Sequence, residues 1–238
     1  MILKILLLIL LIASPAFAQD KMARMNVAIM GGGGNICSGY LVCQGFEGTG
    51  YDNSESWTES VPSGGTVNED YTTVVLDGIQ SLYVAAGITV PAYTYTDLAA
   101  DISHVYGYQM FRYSASLNDI VMLNSSGGTA LGRIRIDANK LVCYDGGSTV
   151  TNTGATTLTV DTTYHLWWEY QKGTGANSIM RAQISTTGTK PGTNECEITT
   201  GADTLDFRRF VIFLNEASVN LIVDKIRVDN TAIGSNPQ

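Results

Sequence analysis

The chain has 238 residues, few of them charged (15%), a net charge of −8 and 25 glycines. So acidic a balance speaks against nucleic acid, whose phosphates demand Lys and Arg, and against an anionic membrane surface. Beyond the leader described next, no apolar run reaches the roughly 20 residues that span a bilayer.

Residues 1–18 read as a cleaved signal peptide. Lys4 gives a positive start, residues 5–12 are an unbroken apolar run, and Ala16-Phe17-Ala18 is a small-x-small cleavage site. The mature protein is therefore expected to be secreted or periplasmic, with no membrane attachment once the signal is removed. Residues 19–36 form a lead that contains a short apolar stretch and the glycine hinge Gly31-Gly32-Gly33-Gly34. Residues 25–34 could pack on their own sheet, be donated to a neighbour's open edge to build a homo-oligomer, or stay loosely ordered.

From residue 37 to 238 the pattern is one body of short strands between turn-rich separators. Strands are predicted over residues 40–46, 81–86, 92–96, 104–114, 119–123, 130–136, 141–144, 163–171, 178–185, 208–214 and 221–228. Separators such as Asn124-Ser125-Ser126-Gly127-Gly128 and Asp145-Gly146-Gly147-Ser148 carry strong turn signals. Many strands with no intervening helices predict an all-β, antiparallel two-sheet sandwich. An exported chain with an even number of cysteines predicts disulfides, here Cys37–Cys43 and Cys143–Cys196, out of three connectivities.

Several rows carry chemistry. On residues 163–171, His165, Trp167 and Glu169 share one face, while Leu166, Trp168 and Tyr170 look like core. On residues 104–114, His104, Tyr106, Tyr108, Met110 and Arg112 share a face. If these rows line one open surface, His165, Trp167, Glu169, Tyr106 and Tyr108 would suit a sugar, whose apolar face stacks on rings while polar groups hold its hydroxyls. The plainer reading makes them cross-strand pairs and core. Arg133 and Arg135 alternate with Ile134 and Ile136 and read as a solvated face; Glu55 and Glu59 read as loop residues. In the last strand Ile222, Asp224, Ile226 and Val228 alternate onto one face, which sets a carboxylate in an apolar row.

Three passages resemble the concanavalin A-like, laminin-G-like jelly rolls. They are Gly45-Phe46-Glu47-Gly48 with Trp57 and Asp77-Gly78-Ile79-Gln80-Ser81-Leu82; Thr163-Tyr164-His165-Leu166-Trp167-Trp168-Glu169-Tyr170; and Asp224-Lys225-Ile226-Arg227-Val228. The resemblance implies a jelly-roll sandwich akin to carbohydrate-binding modules. It also implies a structural calcium where first and last strands meet, with Glu47 and Asp224 as the matching carboxylates and backbone carbonyls completing the set. Read on their own, the same two carboxylates would cap loop N–H groups. Neither the E-x-D-x-x-E row of the related glucanases nor the R-x-E-x-R and Q-[IV]-H strands of the related alginate lyases is legible. The expectation is thus an exported module that binds glycans or serves adhesion without catalysis. The alternatives are a self-assembling structural protein and a divergent polysaccharide hydrolase or lyase.

Overall fold

In the computed structural model the described residues are 39–238, apart from 49, 52–55, 62, 88–90, 116–117, 217–218, 236 and 238. The signal peptide, the segment 25–34 and Cys37 lie outside them. Residues Gly39–Gln238 form one compact unit.

Among the described residues there is no helix, and the strands build two antiparallel sheets. One sheet contains β1 (Val42–Gln44), β3 (Thr66–Tyr71), β4 (Ser81–Ala85), β6 (His104–Tyr113), β11 (Tyr164–Gln171), β12 (Ser178–Ser185), β13 (Cys196–Gly201) and β15 (Asn220–Asp229). Its order is β13-β12-β11-β6-β15-β4-β3, and β1 adds to β15. The other contains β2 (Trp57–Ser60), β5 (Ala92–Ile102), β7 (Asn118–Asn124), β8 (Ala130–Asp137), β9 (Lys140–Asp145), β10 (Thr151–Thr157) and β14 (Phe207–Leu214), in the order β10-β9-β8-β7-β14-β5-β2. The chain crosses between sheets repeatedly, and the first and last strands of the described residues are neighbours in one sheet: Val42 pairs with Val228.

The inner faces share one core that includes Val105, Phe111, Leu166, Trp168, Tyr170, Ile134, Phe210 and Val223. Gly107 lies under Trp168, and a Cβ there would run into the indole. Cys143 and Cys196 are bonded to each other and tie β9 of one sheet to β13 of the other. Cys43 is also disulfide-bonded, while its expected partner Cys37 falls outside the described residues.

Three expectations are corrected. Lys225 has φ +47° and marks a bulge, so the register of β15 against β6 shifts between Asp224 and Arg227. Leu221 and Val223 before the bulge, and Ile226 and Val228 after it, all enter the core. Ile222 and Asp224 therefore do not share a face with Ile226 and Val228, because the extra residue reverses the alternation. Glu59 belongs to β2 rather than to a loop, and its carboxylate accepts a bond from the Tyr51 hydroxyl at 3.0 Å; Glu55 is outside the described residues. Arg133 and Arg135 are half-buried instead of solvated, lying over the Tyr144 ring and beside the buried Asp119 carboxylate.

Candidate functional site

Strand register builds the site on the outer face of the eight-stranded sheet. Opposite Glu169 of β11 stand Tyr106 of β6 on one side and Arg181 of β12 on the other. One step along, Trp167 is flanked by Tyr108 and Gln183, and next His165 pairs with Met110. The sequence rows thus lie side by side on one surface, as the alternation of β6 and β11 required.

Between these strands, the loop after β12 and the segment after β15 lies a cleft of about 370 Å³. Its lining includes Tyr106, Trp167, Glu169, Arg181, Lys190 and Asn194. The segment after β15 forms one wall. There Ala232 lines the cleft, Ile233 packs onto Tyr108, Met110 and Trp167, and the Trp167 indole N–H donates to the Gly234 carbonyl at 2.9 Å. Lys190 secures this wall, its Nζ donating to the Ile233 carbonyl at 2.9 Å and its backbone N–H to the Ser235 hydroxyl at 2.9 Å.

The five predicted residues therefore separate into two groups. Tyr106, Trp167 and Glu169 line the cleft, and of the two rings Tyr106 is the more open, since Trp167 is only 2% exposed. Tyr108, 1% exposed, and His165 are bonded to each other, with 2.8 Å between the Tyr108 hydroxyl and His165 Nδ1. Burial, and then the Lys225 charge, lower the His165 pKa, so its imidazole is neutral at neutral pH.

Glu169 is the hub of the polar side. Its Oε1 lies 2.8 Å from His104 Nε2, and Arg181 grips both oxygens, with Nε donating to Oε2 at 2.8 Å and Nη2 to Oε1 at 2.9 Å. A third nitrogen of Arg181 reaches Glu197 at 3.3 Å. Burial, and then the Glu169 carboxylate, push the Tyr106 phenol above its usual range, which keeps it protonated. Arg181 was legible only as one outward residue of an alternating strand, and Lys190 sits in a loop with no periodic signal.

Glu47 and Asp224 converge on one loop and are not among the residues that line the cleft. Asp224 is fully buried, and its Oδ2 accepts from the Asp77 N–H at 3.0 Å and the Ser81 hydroxyl at 2.9 Å. Its Oδ1 accepts from the Lys225 N–H at 2.7 Å. Glu47 Oε2 accepts from the Ile79 N–H at 3.1 Å, and Lys225 Nζ lies 2.9 Å from the Asp77 carboxylate. Burial is the main cause that raises the Asp224 pKa to about 7, against the bonds it accepts. No group of three or more His, Cys, Asp or Glu side chains able to hold a metal occurs among the described residues. Both Asp224 oxygens and Glu47 Oε2 thus accept from N–H or hydroxyl donors, which is the loop-capping arrangement.

No protein-family model and no curated protein matches the chain. Solved structures do. An endo-β-1,4-glucuronan lyase from Trichoderma reesei superposes with a TM-score of 0.60 at 14% identity, over 84% of this chain and 99% of the lyase. An alginate lyase from Aplysia kurodai gives 0.53 at 7%, over 80% and 99%. The binding domain of botulinum neurotoxin serotype C1 gives 0.52 at 9%; the match takes in 84% of this chain and half of that one. The fold is a concanavalin A-like jelly roll. At such identities the likeness is one of fold, and function has to be argued from the cleft.

Proposed function

We propose that this chain is an exported, non-catalytic glycan-binding module, and that its site is the cleft between Tyr106, Glu169, Arg181 and Lys190. The observation that carries the reading is the pairing of an aromatic ring, Tyr106, with a dense polar set in one cleft of about 370 Å³. A sugar needs both, a ring to stack on and donors and acceptors for its hydroxyls. A volume near the low end of the roughly 300–1,000 Å³ of small-molecule sites suits one or two sugar residues. The neighbours named for glucuronan and alginate make a polysaccharide the first ligand class to screen. Export is supported by the leader and by the Cys143–Cys196 bond, which belongs to an oxidising compartment.

Lack of catalysis is supported by the state of the titratable groups. Tyr106 is shifted away from the range of a base at neutral pH, and His165 is bonded to Tyr108 outside the cleft lining. Glu169 is committed to His104 and Arg181. The competing reading is a divergent lyase, which the likeness to two lyases keeps open to test. Affinity electrophoresis through a panel of polysaccharides should retard the protein on at least one of them. Tyr106→Ala should weaken that retardation about tenfold, the loss expected for one stacking ring. Unsaturated or newly reducing ends released from the retarding polymer would replace the module reading with the lyase one.

A further inference from the structure

The polar groups of the cleft differ in what they have left to offer. Both oxygens of Glu169 are engaged, by His104 and Arg181. Arg181 commits Nε and Nη2 to Glu169 and Nη1 to Glu197. The Trp167 N–H goes to Gly234, and the Gln183 amide donates to the Pro191 carbonyl at 3.0 Å.

Lys190 is different. Its ammonium has three protons, and the one side-chain bond it makes among the described residues is to the Ile233 carbonyl. No carboxylate of the described residues forms an ion pair with it, although Glu169 and Arg181 both act on it at a distance, in opposite senses. Lys190 is half-buried in the cleft wall, so its charge has lost part of its water, and burial lowers its pKa accordingly. A partly desolvated ammonium with spare protons gains about twice as much from an anionic acceptor as from a neutral hydroxyl.

We infer that the cleft takes a sugar bearing a carboxylate, a uronic acid, and that Lys190 holds that carboxylate. The inference rests on the cleft being the glycan site, as proposed above. It assigns the ring of the sugar to Tyr106 and the charged substituent to Lys190, which lines the same cleft from the loop between β12 and β13. The chain's net charge of −8 works against a polyanion at long range, so the preference has to arise at this contact. Lys190 is thereby a specificity residue, and the neighbouring Glu169–Arg181 pair positions the polar wall without offering a free charge.

The test is calorimetric titration of the purified protein with an oligoglucuronate and with the same oligosaccharide after its carboxyls are reduced to alcohols. The unaltered protein should bind the acidic form about tenfold more tightly. Lys190→Met should bring the ratio of the two affinities close to one, whatever it does to each affinity alone, and Lys190→Arg should keep the ratio. Equal affinity of the unaltered protein for both forms would overturn the uronate assignment and leave the glycan-binding reading standing. A preference that survives Lys190→Met would overturn the role given to Lys190, and binding of neither form by the unaltered protein would overturn the uronate assignment, the glycan-binding reading being decided by the polysaccharide panel. The comparison of the two sugars uses the unaltered protein, so it does not depend on how any variant folds.

Discussion

Among single residues, Asp224 has a consequence that pH can read. It is fully buried in a loop junction, and burial pushes its pKa up to about 7 from 3.8. The folded state therefore holds the proton more tightly than the unfolded chain between those values, and ionisation costs stability. Its contribution is fully present below about pH 3.8 and is lost as pH rises through 7. The shift corresponds to a few kcal/mol as an order of magnitude. Denaturant midpoints measured in chelator should rise as pH falls from 8 to 5, and Asp224→Asn should flatten that slope. If calcium held the pair, adding it at pH 7 would raise the midpoint and chelator would lower it; loop capping predicts no response to either. The sequence showed that Asp224 needed a partner and put Glu47 forward to share its site; the loop that both carboxylates reach, at residues 77–79, was not named. It left open which of capping or metal binding satisfies them, because backbone N–H groups of residues 77 and 79 carry no signature of their own.

At the level of elements, the bulge at Lys225 decides which side chains reach the core. A positive φ is costly for a β-branched residue, so Lys225→Val should destabilise the protein by about 1–2 kcal/mol, read by chemical denaturation. An unchanged midpoint would mean that β15 runs without the bulge. A bulge is not legible from alternation, which is why the sequence put Asp224 in one row with Ile226 and Val228. The strands missed altogether follow a physical rule. β2, β3, β10 and β13 are the four strands at the ends of the two sheet orders. Edge strands bury less, and β10, Thr-Asn-Thr-Gly-Ala-Thr-Thr, has a single buried residue. They carry little of the apolar alternation from which strands are recognised. Interior strands such as β6, β11 and β12 were legible almost to the residue, since each packs one face against the core.

Across the whole molecule, the sandwich brings together the rows on β6 and β11, but the cleft depends on parts outside the regular strands. The loop that carries Lys190 and the segment after β15 supply two of its walls. That segment also covers Tyr108 and most of Trp167, so a surface that looked like an aromatic platform in the sequence becomes a small cluster of its own. The rows were thus readable and the walls were not, because wall placement is set by tertiary contacts between segments distant in sequence. The Cys143–Cys196 bond, which joins the two sheets across 53 residues of chain, is a pair favoured among the three connectivities that compartment and count allow, because it would tie two strands.

The most direct test of the glycan-binding account is hydrogen exchange, followed by mass spectrometry, with and without a saturating oligosaccharide. Slower exchange is expected in the cleft strands β6, β11 and β12 and in the Lys190 loop, with little change elsewhere. Protection centred instead on strands of the opposite sheet, such as β5 and β14, or on no part of the chain, would contradict the assignment of the cleft.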